Sequence, residues 1–314
     1  MLTNTSTELR TTKASMLLRA VVWMMARQKP IFPKDTAQVE PFLRGRKTPT
    51  PAPLPSKFES RYRVERWEAA GQPVVTLHPK SGPGEWHMLY FHGGGFVLPL
   101  HKVHWPLAGA MVDLLGVSIS LPLYDLVPEA SWQAQRDVAD EAFATIAARH
   151  DPAKIILNGD SAGGHMALSL ALRLATSKGS PQPGKLALFA PWLDVSMADA
   201  AMKEVEPHDF MLKTDALRAL GTIWAGDRDP ASAECSPLYT SKEDLALLPP
   251  TRIWTGRHDL FIVDSRTFTA KLVDAGVDAK LYEYAGAPHV FMAVAPTRES
   301  KDTLKLLREF INQP

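Results

Sequence analysis

Apolar and polar positions change rhythm repeatedly along this 314-residue chain. Arg61-Tyr62-Arg63-Val64-Glu65-Arg66-Trp67 alternates with a period of two, as a half-exposed strand does, and residues 73–77 read as its neighbour. Short apolar runs then recur at 86–91, 117–123, 155–157, 186–189, 252–254 and 279–284, which makes eight predicted strands. Helical segments fall between most of them, at about 101–115, 131–150, 162–177, 263–275 and 296–311. Strands alternating with helices imply a mostly parallel sheet covered on both faces. Ahead of this region, residues 8–28 read as one amphipathic helix that packs on something, followed by a proline-rich passage from Pro30 to Pro55. Pro49, Pro51, Pro53 and Pro55 alternate there, which favours an extended connector. Residues 194–235, carrying Met197, Met202, Phe210, Met211 and Trp224, break the strand–helix rhythm as an insertion.

Composition narrows the function classes. A hydrophobic fraction of 45% and a charged fraction of 22% are those of a globular protein with a sizeable core. A net charge of +1 offers no electrostatic case for nucleic acid or for an acidic membrane surface. Cys235 is the only cysteine, so neither an internal disulfide nor a cysteine zinc site is available, and a reducing compartment fits. The run MLLRAVVWMM at 16–25 faintly resembles a signal peptide, but Arg19 interrupts it and no small-residue cleavage site follows. It is too short to span a bilayer. The expectation is a cytoplasmic protein without stable membrane insertion.

The chemistry centres on Asn158-Gly159-Asp160-Ser161-Ala162-Gly163-Gly164, which contains G-x-S-x-G between a strand and a helix. That context presents the central serine on a sharp turn, and Gly159 and Gly163 give the backbone room. A serine hydroxyl needs a base to take its proton, and the base needs a carboxylate to fix its tautomer. His289 follows the eighth strand and Asp259 the seventh. In a parallel sheet, residues just past the carboxyl ends of strands share one rim, so Ser161, Asp259 and His289 are expected to meet there. His92-Gly93-Gly94-Gly95, after the third strand, is a loop whose N–H groups can approach a developing negative charge. Gly93, Gly94 and Ala162 are the expected oxyanion donors, with His92 bracing the loop and Asp160 tying it down. His101 and His104, at one-turn spacing, invite a metal reading, but no third ligand is apparent nearby.

These motifs resemble those of the hormone-sensitive-lipase-like esterases. His92-Gly93-Gly94-Gly95-Phe96 is similar to the family's HGGG motif, and Gly159-Asp160-Ser161-Ala162-Gly163-Gly164 to its GDSAGG motif. Tyr124-Asp125-Leu126-Val127-Pro128-Glu129, Pro191-Trp192-Leu193-Asp194 and Ser236-Pro237-Leu238 are further similar stretches. Departures are Asp125 in place of arginine, His165 in place of asparagine, Pro99 where a small residue is common, and Leu260 in place of proline. The resemblance implies an α/β-hydrolase fold with an eight-stranded, mostly parallel sheet flanked by helices. It implies a helical cap made of residues 1–58 and 194–235 over a catalytic domain of 59–193 and 236–314. It also implies hydrolysis of short- to medium-chain carboxylic esters through an acyl-enzyme, with no cofactor and no metal, and it allows a homodimer through the edge strand. Phe96, Trp23, Phe210, Met211, Val290 and Phe291 are the expected pocket residues. Two rivals share the scaffold: an amidase, lactone hydrolase or acyltransferase using the same triad, and a non-catalytic small-molecule binder.

Overall fold

The computed structural model describes residues 6–46, 50–82, 84–294 and 296–313. The first five residues of the N-terminal segment, and Pro49 of the proline passage, lie outside them. The strands are β1 (Thr7–Thr11), β2 (Arg63–Ala69), β3 (Gln72–His78), β4 (His87–Phe91), β5 (Ser118–Pro122), β6 (Ile155–Asp160), β7 (Lys185–Phe189), β8 (Thr251–His258) and β9 (Ala279–Pro288). The helices are α1 (Met16–Met25), α2 (Val39–Gly45), α3 (Ser56–Arg61), α4 (His104–Leu115), α5 (Trp132–Ala147), α6 (Ala162–Thr176), α7 (Met202–Val205), α8 (Thr214–Ala225), α9 (Lys242–Leu245), α10 (Ile262–Asp274) and α11 (Arg298–Ile311).

The strands form one sheet in the order β1-β9-β8-β7-β6-β4-β5-β3-β2. Pairing is parallel except where β3 joins β2 and β5. Successive side chains on a strand point to opposite faces, so each central strand feeds two cores. Leu89 and Phe91 of β4, Ile155 and Leu157 of β6, and Leu186 and Leu188 of β7 enter the core beneath α5, α6 and α10. Met88 and Tyr90, Ile156, and Ala187 and Phe189 enter the other, with α4 and α11. Burial on both faces is why these strands read as continuous apolar runs.

The sheet carries one strand more than expected. Residues 7–11 pair in parallel with β9 and cover its edge, so the helix expected over 8–28 starts only at Met16. Ser15 sets that start, its side chain accepting the Leu18 N–H at 3.3 Å. A Ser cap interrupts the apolar periodicity at that point and frees the preceding threonines for a strand. The expected packing of this helix is also thin: Leu18 is its only buried residue. The edge offered for a homodimer therefore belongs to β1, not β9.

The insertion folds as α7, α8 and their connections, and it touches the N-terminal segment, where Thr36 Oγ1 donates to the Asp215 carbonyl at 3.2 Å. Among the described residues no helix is long and apolar enough to cross a membrane.

Candidate active site

Ser161 stands between β6 and α6 with φ 55° and ψ −121°, a conformation that costs a non-glycine residue energy and is held by its surroundings. Its N–H donates to the Phe189 carbonyl at 2.9 Å, and its own carbonyl accepts from Trp192 and His165 at 3.0 and 3.1 Å. Both glycines of the turn are sterically required. A Cβ on Gly159 would lie 2.3 Å from the Gly163 oxygen, and one on Gly163 would lie 2.0 Å from the Phe91 oxygen.

The carboxyl ends of β8 and β9 bring Asp259 and His289 together. His289 Nδ1 lies 2.9 Å from Asp259 Oδ2, with both side chains buried. Asp259 is oriented further by the Phe261 N–H on Oδ1 at 3.0 Å and by Thr255 Oγ1 on Oδ2 at 3.4 Å. Phe261 also sets its ring edge-on to His289, 5.1 Å between centroids. Burial alone would lower the His289 pKa, but Asp259, with Asp209 and Asp160 behind it, outweighs burial and holds the pKa above the ordinary imidazole value. The fold thus brings Asp259 and His289 into contact.

Asp209 is the group that sequence reasoning missed. It comes from the insertion, is buried, and accepts three backbone N–H bonds. Oδ2 takes the Leu260 N–H at 3.0 Å, while Oδ1 takes Met211 and Leu212 at 2.8 and 2.9 Å. One carboxylate thereby joins the insertion to the residue next to Asp259. Burial and the Asp259 charge raise its pKa to about 6. A D-x-M-L stretch within an apolar insertion was the available signal, but nothing local says which strand end it reaches.

The HGGG loop is tied to the nucleophile turn through Asp160, which accepts from Tyr90 Oη at 2.5 Å and from the Gly93 N–H at 3.0 Å. This corrects the expectation for Gly93: its N–H is committed to Asp160 and anchors the loop. Gly94 and Gly95, at φ 132° and 60°, follow it, and Ala162 opens α6. His92 is buried flat against Tyr124, 4.2 Å between centroids, and burial pushes its pKa down to about 3, so it braces the loop as a neutral ring. His104 Nε2 faces Asp160 at 3.4 Å and joins the same anchor, while the His101 N–H donates to His104 Nδ1 at 2.9 Å. Gly164 packs its α-carbon against Pro191, where a Cβ would lie 3.0 Å away.

The expected pocket residues divide. Phe96 is fully buried between the rings of Trp192 and Trp224, at 5.6 and 4.4 Å, and therefore supports the loop from behind. Phe291 is fully buried against Tyr284, in the core beneath the rim. Trp23 is 60% exposed and lies under the Arg27 guanidinium, so it faces outward. Phe210, Met211 and Val290 are half-buried and keep surface to offer. His165, at the departure from asparagine, bonds the Trp192 carbonyl through Nδ1 at 3.0 Å and packs edge-on to Phe96 and Trp224. Asp194 also braces, accepting from Ser196, Ala198, Ser236 and Tyr239. Asp264 is buried in the first turn of α10.

A strained serine between strand and helix, a buried Asp–His pair at the neighbouring strand ends and a glycine loop anchored beside them define a hydrolase of the α/β class. Residues 88–293 match the family model described as alpha/beta hydrolase fold, and the chain belongs to that family, in its hormone-sensitive-lipase-like group. It is similar to an esterase of Acinetobacter venetianus, 29% identical over 228 residues that cover 71% of this chain and 73% of that one. It is also similar to the esterase LipU of Mycobacterium tuberculosis, 29% identical over 274 residues, covering 83% and 89% respectively. Among solved structures, an esterase from the bacterial hormone-sensitive lipase family superposes with a TM-score of 0.78 at 25% identity, covering 95% of this chain and 97% of that one.

Proposed function

We propose that this hydrolase is a serine carboxylesterase acting on short- to medium-chain esters through Ser161, His289 and Asp259. The observation that carries the reading is the buried 2.9 Å contact between His289 Nδ1 and Asp259, on the rim where Ser161 is held in its strained turn. With Nδ1 committed to Asp259, Nε2 is the nitrogen left to take the Ser161 proton. Ser161 Oγ attacks the ester carbonyl as His289 accepts that proton. The tetrahedral oxyanion is held by the N–H groups of Gly94 and Ala162, with Gly95 next in the loop, while Gly93 keeps the loop fixed to Asp160. His289 then protonates the departing alcohol, and the acyl-enzyme forms. Water, deprotonated by the same histidine, releases the acid and restores Ser161. Asp259 stays ionised throughout.

In this reading the cap comprises residues 194–235 and the N-terminal stretch that meets them at Thr36, whereas β1 belongs to the main sheet, and the half-buried Phe210, Met211 and Val290 supply apolar surface over the rim. The relatives named esterase support the reaction class. The test is a p-nitrophenyl ester series of increasing acyl length on wild type and Ser161→Ala. Turnover peaking at short acyl groups and vanishing in the variant supports the proposal. Turnover that survives in Ser161→Ala, or that rises steadily with chain length, contradicts it.

A further inference from the structure

Helix α1 is apolar at every position but the exposed Arg19, yet it lies on the surface. Its inward side carries Leu18 and Val22, which join the core with α4 and α11. Its outward side carries Met16, Leu17, Trp23 and Met24, exposed by 86, 47, 60 and 52%. Ile31, just beyond, is 51% exposed. A helix with a single polar side chain is ordinarily buried on most of its surface, so the outward side calls for a cover.

The charges around it say which cover fits. Between Leu9 and Lys34 the charged side chains are Arg10, Lys13, Arg19, Arg27, Lys29 and Lys34, and none is acidic. Arg10 is paired with Glu8 and Asp302, whereas Lys13, Arg19, Arg27, Lys29 and Lys34 are exposed. The carboxylate closest to the start of the helix, Glu299, is buried and committed to the Ser15 N–H and hydroxyl at 2.6 and 2.7 Å. Asp35 follows the segment, with its carboxylate engaged by Gln38. A second copy of the chain, packed by two-fold symmetry, would bring this cationic rim against itself. An anionic surface would not.

We propose that the outward side of α1 docks on an anionic phospholipid surface. Met16, Leu17, Trp23 and Met24 enter the headgroup boundary, and the flanking lysines and arginines meet the phosphates. Trp is suited to that depth, and the helix, ten residues long, lies along the interface without spanning it. The chain that leaves the docked helix reaches the candidate site. After α1 the chain runs to Phe32, whose ring edge would lie 3.0 Å from a Cβ on Gly95 of the glycine loop. An ester dissolved in the lipid would then be presented next to Ser161.

The test is co-sedimentation of the full chain with phosphatidylcholine vesicles, either pure or containing about 30 mol % phosphatidylserine. Partitioning onto the anionic vesicles is expected to exceed that onto the neutral ones by about tenfold or more, and to fall as salt screens the cations. The double variant Met16→Glu/Met24→Glu abolishes it, with an unchanged melting temperature because both side chains point to solvent. If that pair disturbs folding, Arg19→Glu/Lys29→Glu tests the electrostatic half separately. Quenching by bromine-labelled lipid reports depth and is expected to be weaker in Trp23→Phe. Equal partitioning onto both vesicle types, or binding unaffected by the variants, overturns the proposal. So does a concentration-dependent dimer that Met16→Glu/Met24→Glu dissociates, which would give the face to a second copy.

Discussion

Two histidines at opposite ends of the sheet are buried to almost the same extent, His289 at 5% exposure and His87 at 4%. His289 follows β9 at the carboxyl rim, while His87 opens the interior strand β4 at the amino rim. Burial and the neighbouring rings of His150 and His78 push His87 down to about 3. At His289 the same burial is overcome, and the proton is held more tightly than in water. The difference lies in the partners. His87 Nε2 meets the Ser120 hydroxyl at 2.8 Å, and its Nδ1 is buried without a hydrogen-bond partner. His289 faces the carboxylate of Asp259, with Asp209 and Asp160 also acting on it. Desolvation makes a histidine inert, and a carboxylate delivered to the right nitrogen makes it a base.

The largest effect should come from removing that carboxylate. Asp259→Asn should lower kcat by about 10⁴-fold by losing the tautomer and the charge together. A single-turnover assay with a chromogenic ester would check it, and a loss under about tenfold would mean that His289 is not the base. A smaller, more diagnostic effect is expected at Asp209. Asp209→Asn removes one anion acting on His289 while keeping an oxygen for the Met211 and Leu212 N–H groups. The acid limb of kcat/KM should move to lower pH, with kcat reduced by about tenfold or less. An unmoved limb would assign Asp209 to the backbone alone.

How much of this was legible follows from how each group is placed. Ser161, Asp259 and His289 each stand just after a strand, so strand order alone brings them to one rim. Asp209 stands in an irregular stretch between α7 and α8, and only the three-dimensional path of the insertion carries it to Leu260. The glycine loop was readable as a loop from its motif. That Asp160 ties the loop down was readable, but that it does so through the Gly93 N–H was not, because the motif does not say which glycine comes within its reach. β1 was hidden for a local reason: Thr7–Thr11 is short, and the stronger apolar period beginning at Met16 drew the predicted helix backward across it. Phe96 and Phe291 look like pocket residues by type and motif, yet the stacking of Trp192 and Trp224 and the core around Tyr284 bury both.

The smallest predicted effect concerns the far end of the sheet. Because the His87 pKa is depressed on folding, its contribution to stability is intact above the unfolded value of about 6.5. It is lost as pH falls toward about 3, since the unfolded chain binds the proton first. His87→Gln should flatten that slope by about 1.4 kcal/mol per pH unit within this window and leave the activity profile unchanged. Urea melts at a series of pH values would measure the first part. A changed pH–activity profile would contradict the separation of the two histidines.

The most direct measurement is covalent. A phosphonate that mimics the tetrahedral intermediate is mixed with the enzyme across a pH series, and labelling is followed by intact mass. The account predicts one adduct per chain, on Ser161, absent in Ser161→Ala. Its rate should rise through an apparent pKa above the ordinary imidazole value of about 6.5, as His289 loses its proton. An adduct that persists in Ser161→Ala, or a rate indifferent to pH down to about 4, would contradict it.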